Sequence, residues 1–279
     1  MKIEVKNLYH IYLKDTPMET LALENINLKV EKNEIIGIIG KSGSGKSTLI
    51  QHFNGLLKPT KGDIYINGKP ISSKKNMDVT SKIGLVFQFP EMQLFEDSVY
   101  DDIAFGPRNL KWSKKEIDEA VNWAVDEIAP HLKDRFEDSP FKLSGGEQRK
   151  TAICGILAMK PRMICFDEPT AGMDPASKKD FFSLMSKLKK DGIQIIFISH
   201  NINDILNYSD RILIMENGLI AKDMRKGVLK EKIEILNKYG LDLPDVYKFS
   251  KYLSRYLDIS PIHEEEKLNK ILDRYLSNS

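Results

Sequence analysis

Eight residues, Gly40 to Ser47, read GKSGSGKS and fit G-x-x-x-x-G-K-[ST]. Glycines at these positions let backbone N–H groups close around phosphate oxygens. A helix that opens at the loop adds the positive end of its dipole. The strand-like IIGII precedes the loop, and a helical pattern of Leu49, Ile50, Phe53, Leu56 and Leu57 follows it. In that frame Lys46 bridges the β- and γ-phosphates and the Ser47 hydroxyl holds Mg2+. Gly40, Lys41, Ser42, Gly43, Ser44, Gly45 and Thr48 complete the cradle.

A second group of residues supplies acids. The apolar run MICF ends in Asp167 and Glu168, at the carboxyl edge of a buried strand where α/β sheets place their sites. Asp167 suits the outer shell of Mg2+, and Glu168 suits general-base work on an attacking water. LSGGEQ carries a capping box from Ser144 to Glu147, so Ser144 and the N–H groups of Gly145 and Gly146 form a second candidate anion site at a helix N-terminus. His200 follows IIFIS and Gln88 ends IGLVF. From neighbouring strand ends, His200 would orient the water and Glu168, while Gln88 would touch Mg2+ and the water.

These side chains need strands and helices to hold them. Ile3 and Val5, then Ile26, Leu28 and Val30, alternate as in half-buried antiparallel strands. Asn67-Gly68 predicts a two-residue hairpin, and RILIMENGLI a closing one. IIGII, IGLVF, MICF and IQIIFIS lack alternation and read as strands buried on both faces, separated by helical patterns. SKKE, Ser113 to Glu116, caps a helix, and Asp174-Pro175 starts another that stops near Gly192. The fold class is α/β. It has a P-loop core with a mostly parallel sheet, an N-terminal antiparallel β region, an inserted helical subdomain at about 98–160, and a small helical C-terminal extension.

Bulk composition narrows the function classes. The 279 residues carry a net charge of +2, too little for a nucleic-acid footprint. Cys154 and Cys165 sit among apolar neighbours and read as reduced thiols. There is no secretory h-region and no apolar run of membrane-spanning length, so another chain must supply any membrane-spanning part.

Gly40–Ser47, Gln88, Leu143–Gln148, Met163–Glu168, Met173-Asp174 and His200 are similar, in order and spacing, to the Walker A, Q-loop, signature, Walker B, D-loop and H-loop of an ATP-binding-cassette (ABC) ATPase. The resemblance covers about residues 1–221 and leaves 222–279 as the extension. It implies ATP and Mg2+ as cofactors and a head-to-tail pair of cassettes in which Ser144 serves the partner's nucleotide. It also implies that Tyr12 stacks on adenine, with Tyr9 as a competitor. The stretch VFQFPEMQLFEDSVYDDIAFGPRN, the insertion DTPMETLAL and the tail YGLDLP resemble the ATPases of energy-coupling factor (ECF) transporters, in their A′ form. EQRKTAICG and Met173 depart from the usual pattern without touching a phosphate-binding group. The resemblance implies a peripheral protein on the cytoplasmic face of the cell membrane that energises uptake of vitamins or transition-metal ions. Its partners would be a second related ABC ATPase, a T-type transmembrane protein and a substrate-binding S component. The nearest rival is the ATPase of an importer that uses a solute-binding protein.

The aromatic stretch itself predicts a contact surface. Phe89, Met92, Leu94 and Phe95 would line a groove for a short cytoplasmic helix of the T-type partner, or close the seam to the helical subdomain. Pro90, Gly106 and Pro107 would keep the segment irregular, and Glu91, Glu96, Asp97, Asp101 and Asp102 would rim it with negative charge.

Overall fold

Burial alternates along the N-terminal strands and is continuous along the later ones, and two kinds of sheet follow. The computed structural model describes residues 1–31, 33–71, 81–257, 259–262 and 265–277. Among these, β1 (Ile3–Tyr12), β2 (Thr20–Val30), β4 (Lys61–Ile66) and β5 (Lys69–Pro70) form an antiparallel sheet in the order β2-β1-β4-β5. Asn67 and Gly68 turn β4 into β5 with φ of 50° and 80°, as a two-residue hairpin requires.

The second sheet runs β10-β9-β3-β8-β7-β6. Its strands β3 (Ile35–Ile39), β6 (Ile83–Val86), β7 (Met163–Asp167) and β8 (Gln194–Ile198) are buried at every position and pair in parallel. β9 (Arg211–Glu216) continues the parallel order beside β3, and β10 (Leu219–Arg225) closes it as an antiparallel hairpin.

Helix α1 (Lys46–Phe53) follows β3. Between β6 and β7 lie α2 (Val99–Asn109), α3 (Lys114–Ile128) and α4 (Gly145–Ala158). Ser113 and Ser144 cap α3 and α4, each with both halves of its capping box formed. Gly106 and Pro107 do not keep their segment irregular, because both lie inside α2. Ser98 caps that helix, and Val99, Ile103, Ala104 and Pro107 are buried in it. This burial outweighs the local penalty of a proline, about 3 kcal/mol in a helix interior. Gly106 is needed because a Cβ there would lie 2.6 Å from Met159 of the facing α4 segment. Of the three breakers only Pro90 stands in a short 3-10 turn, Pro90–Gln93.

Helix α5 (Pro175–Lys190) starts at the Asp174 cap, α6 is Ile202–Tyr208, and α7 (Lys226–Glu231), α8 (Ile235–Lys238), α9 (Asp245–Leu253) and α10 (Glu265–Ser277) follow β10. The division expected between residues 221 and 222 falls inside β10. Leu229, Leu236 and Tyr247 of the C-terminal helices, and Ile233 between two of them, share one apolar core with Ile35, Ile39, Phe182 and Phe197 of the body. The Lys41 side chain lies against Gly240, where an added Cβ would fall 2.3 Å from its Nζ.

Candidate functional site

Strand β3 delivers the chain to Gly40, and the next residues curl back so that α1 begins at Lys46. The turn depends on Gly45. Its φ is 96°, and a Cβ there would lie 2.6 Å from the Ala22 carbonyl oxygen. α1 has no side-chain cap, so the N–H groups of its first turn are left for the loop's own purpose. The Ser44 hydroxyl is buried in the loop with no hydrogen-bond partner among the described residues. Lys46 is 6% exposed and donates to the carbonyls of Gly40 at 2.8 Å and Lys41 at 2.9 Å. Burial holds its pKa below the ordinary lysine value, against the pull of Glu168 and Asp167.

Those acids arrive together at the end of β7, which β8 separates from β3. β7 lies between β6 and β8, with Val86 opposite Phe166 and Asp167 opposite Ile198. Asp167 is buried. Burial raises its pKa, while a hydrogen bond from Ser47 and the charge of Lys46 oppose the rise. The Ser47 hydroxyl and the Asp167 carboxylate thus form a small set of hard oxygen donors, a chemistry that fits Mg2+. Glu168 has φ of 50°, a strained conformation for a non-glycine residue. Its N–H donates to Ile198 O at 3.2 Å, and its carboxylate meets His200 Nε2. Gln88 is exposed two residues beyond β6, on the same edge of the sheet.

Tyr12 and Tyr9 go to different neighbours. The Tyr12 hydroxyl lies 3.2 Å from Thr48 Oγ1 on α1, and Tyr9 carries Lys61 Nζ 5.3 Å over its ring. Tyr12 is therefore the aromatic beside the phosphate loop.

The start of α4, Ser144 to Glu147, has other neighbours, with the Glu147 carboxylate beside His131 and Arg135. Gly145 and Gly146 line a cleft of about 700 Å³ with Gly172, Met173 and Asp174, and none of residues 40–48 lines it. The Ser144 hydroxyl and backbone hold the Glu147 carboxyl below its ordinary pKa, helped by Arg135 and His131.

Arg149 escaped the reading of the sequence. It donates from Nε and Nη2 to both Glu91 oxygens at 3.0 Å, and from Nη1 to Ala171 O at 3.1 Å. One guanidinium thus joins the segment after Gln88, helix α4 and the turn after Glu168. Spacing carried no signal for it, because its carboxylate partner is 58 positions away.

The aromatic stretch divides between surface and core. Leu94, Phe95, Phe105, Gly106, Ile156 and Met159 line a groove of about 390 Å³. Phe95 and Phe105 meet edge to face at 4.7 Å and are both exposed. Leu94, expected on the surface, is buried, while Met92 and Phe89 are exposed but do not line the groove. The expected acidic rim is thinner as well. Glu91 is held by Arg149, Asp101 pairs with Arg108, and Asp102 accepts from the N–H groups of Phe95 and Glu96.

Comparison with known proteins matches residues 23–171 to the family described as ABC transporter. The chain is 45% identical over 282 residues to the energy-coupling factor transporter ATP-binding protein EcfA2 of Caldanaerobacter subterraneus, covering 99% of this chain and 98% of that one. It is 43% identical over 249 residues to EcfA2 of Clostridium perfringens, with 88% and 87% covered. Among solved structures it resembles cbiO1 from Clostridium perfringens, part of the ABC transporter complex cbiONQ. There the TM-score is 0.72 at 35% identity, covering 85% of this chain and 93% of that one. It also resembles the dimeric MJ0796 cassette bound to ADP and Pi, with a TM-score of 0.70 at 27% identity and 80% and 98% covered. The chain belongs to the ABC transporter family, among the ATP-binding proteins of energy-coupling factor transporters.

Proposed function

We propose that the chain binds ATP through Gly40–Thr48 and Tyr12, and hydrolyses it to energise an ECF-type transporter that takes up vitamins or transition-metal ions. The observation that carries this reading is the convergence of Lys46, Asp167, Glu168 and His200 at neighbouring strand ends. Glu168 accepts a proton from the attacking water, and His200 holds that carboxylate in place. Lys46 and the first-turn N–H groups of α1 meet the negative charge that develops on the γ-phosphate. Ser47, Gln88 and Asp167 are the residues that would hold Mg2+, which when bound neutralises phosphate charge.

The signature residues act on a second nucleotide. Gly145 and Gly146 line a cleft that no residue of the chain's own phosphate loop lines, which supports a head-to-tail pair with a related ABC ATPase. The groove at Phe95 and Phe105 receives a short helix of a T-type transmembrane protein, with an S component selecting the cargo. Among the described residues no helix is long and apolar enough to cross a membrane, and the chain sits peripherally on the cytoplasmic face through these partners. Nucleic acid is not a partner in this reading.

The test is nucleotide binding and turnover in the assembled complex. Lys46→Ala abolishes tight ATP binding, whereas wild-type binding in Lys46→Ala overturns the phosphate-site assignment.

A further inference from the structure

Two buried histidines stand behind Tyr12, and neither belongs to any motif discussed so far. His10 lies on β1 and is 7% exposed, and His52 lies on α1 and is 1% exposed. His52 Nδ1 is 2.7 Å from Thr48 O. A carbonyl only accepts, so Nδ1 carries the hydrogen. Burial pushes the His52 pKa down to about 4 and holds His10 below its ordinary value, so both rings are neutral near pH 7. His52 Nε2 is then bare and accepts from His10 Nδ1–H at 3.1 Å, a hydrogen shared with Lys58 O at 3.2 Å. That leaves His10 Nε2 as a bare acceptor, buried without a partner among the described residues.

The contacts close into a ring of four residues. The His10 ring meets Tyr12 edge-on at 4.4 Å and His52 at 4.7 Å. Tyr12 returns through its hydroxyl to Thr48 Oγ1, and Thr48 is the residue whose carbonyl binds His52. An apolar pair of similar volume would fill the same space without an orphaned nitrogen, whose burial is unfavourable. What the polar pair adds is direction. The hydrogen bonds of the two histidines each have one allowed sense, and with the Tyr12–Thr48 contact they tie β1 to both turns of α1.

We propose that His10 and His52 are positioning residues for recognition of the nucleotide base, holding the Tyr12 ring at one set distance from the phosphate loop. The proposal rests on the reading that Tyr12 stacks on the base. With the platform fixed, a base is gripped only when attached to a triphosphate seated in Gly40–Ser47. With the pair broken, Tyr12 wanders and the base contributes less, while the triphosphate is held as before.

The test compares Mg–ATP with Mg–tripolyphosphate, which has no base, as competitors of a fluorescent nucleotide on the full-length chain. His10→Phe keeps the ring volume and removes the Nδ1 donor. His52→Gln serves as the second variant, and each variant is first shown to melt cooperatively. Stacking on an aromatic ring gives Tyr12→Ala an expected loss of about tenfold in ATP affinity. His10→Phe or His52→Gln is expected to lose about three- to tenfold for ATP and nothing for tripolyphosphate. The double variant with Tyr12→Ala should be no weaker than Tyr12→Ala alone, the coupling expected of groups acting as one unit. Equal losses for both ligands, or an unchanged ATP affinity in both histidine variants, overturn the positioning role. A Tyr12→Ala variant that keeps its full preference for ATP overturns the base platform itself, and the histidine role with it. Loss of that preference in Tyr12→Ala but in neither histidine variant overturns only the histidine role.

Discussion

The carboxylate of Glu168 meets Nε2 of His200 across the ends of two adjacent strands, β7 and β8. A carboxylate held in that way can act on water without first finding its orientation. Glu168→Gln keeps the size and loses the basicity. Steady-state ATP hydrolysis in the assembled complex is expected to fall roughly 10²–10⁴-fold, with ATP binding retained in an equilibrium assay. Near-normal turnover would remove Glu168 from the role of base.

Gly145 and Gly146, next to Ser144, line a cleft to which Lys46 and the rest of the phosphate loop contribute nothing. The isolated chain, monomeric at assay concentration, is therefore expected to be a weak ATPase, and adding a related second cassette should raise its rate. Full activity from the verified monomer would show that Ser144 is not needed from a partner.

Phe95 and Phe105 line the groove from exposed positions, and Leu94 lines it from a buried one. Phe95→Ser with Phe105→Ser should leave ATP binding and melting temperature near wild type while co-purification with the transmembrane module falls. Leu94→Ser should lower stability itself, by about 2–4 kcal/mol as a buried truncation to a polar group. A folded Phe95/Phe105 double variant that assembles normally would assign the groove to packing alone.

His52 binds its proton less readily when folded than when unfolded, so acid favours the unfolded chain. Stability from this group is fully present above pH 6.5 and is lost as pH falls from there to about 4, the loss reaching about 3 kcal/mol. His10, from the facing strand, titrates in the same direction. Denaturant melts between pH 7 and pH 4 should be steeper in pH for the wild type than for His52→Gln. Parallel curves would mean that folding does not lower the His52 pKa.

Gly240 has φ of 61° and the Lys41 side chain against it. Gly240→Ala is expected to destabilise the chain by about 1–2 kcal/mol, part of it from the left-handed backbone and part from the lysine. Combining it with Lys41→Ala should recover the second part in a denaturant melt. Additive effects would show that the two residues do not touch.

Much of the site was legible because phosphate chemistry forces residue types into short, ordered runs. GKSGSGKS must contain its glycines and its lysine in sequence, and the four fully buried strands stand out as mostly apolar runs. The capping boxes at Ser113 and Ser144 were equally local, and both formed. What stayed hidden depends on contacts between distant segments. Arg149 finds Glu91, His52 finds His10, and Thr170 and Ser199 share the buried carboxylate of Asp204, all across gaps that no periodicity encodes except for Ser199. Gly106 and Pro107 misled for the opposite reason. Local propensity argued for a break, and packing against α4 decided for a helix.

The shared core of the C-terminal helices and the body bears on how this chain can be cut and recombined. Leu229, Ile233, Leu236 and Tyr247 close over apolar side chains that would otherwise meet water. A protein stopped at residue 221 is thus not a smaller cassette with a tail removed, because it lacks four residues of β10 and one wall of its own interior. Tails exchanged between relatives would travel well only with the surface they cover. A calorimetric scan of the whole chain should show one transition, since two halves that share an interior cannot melt separately.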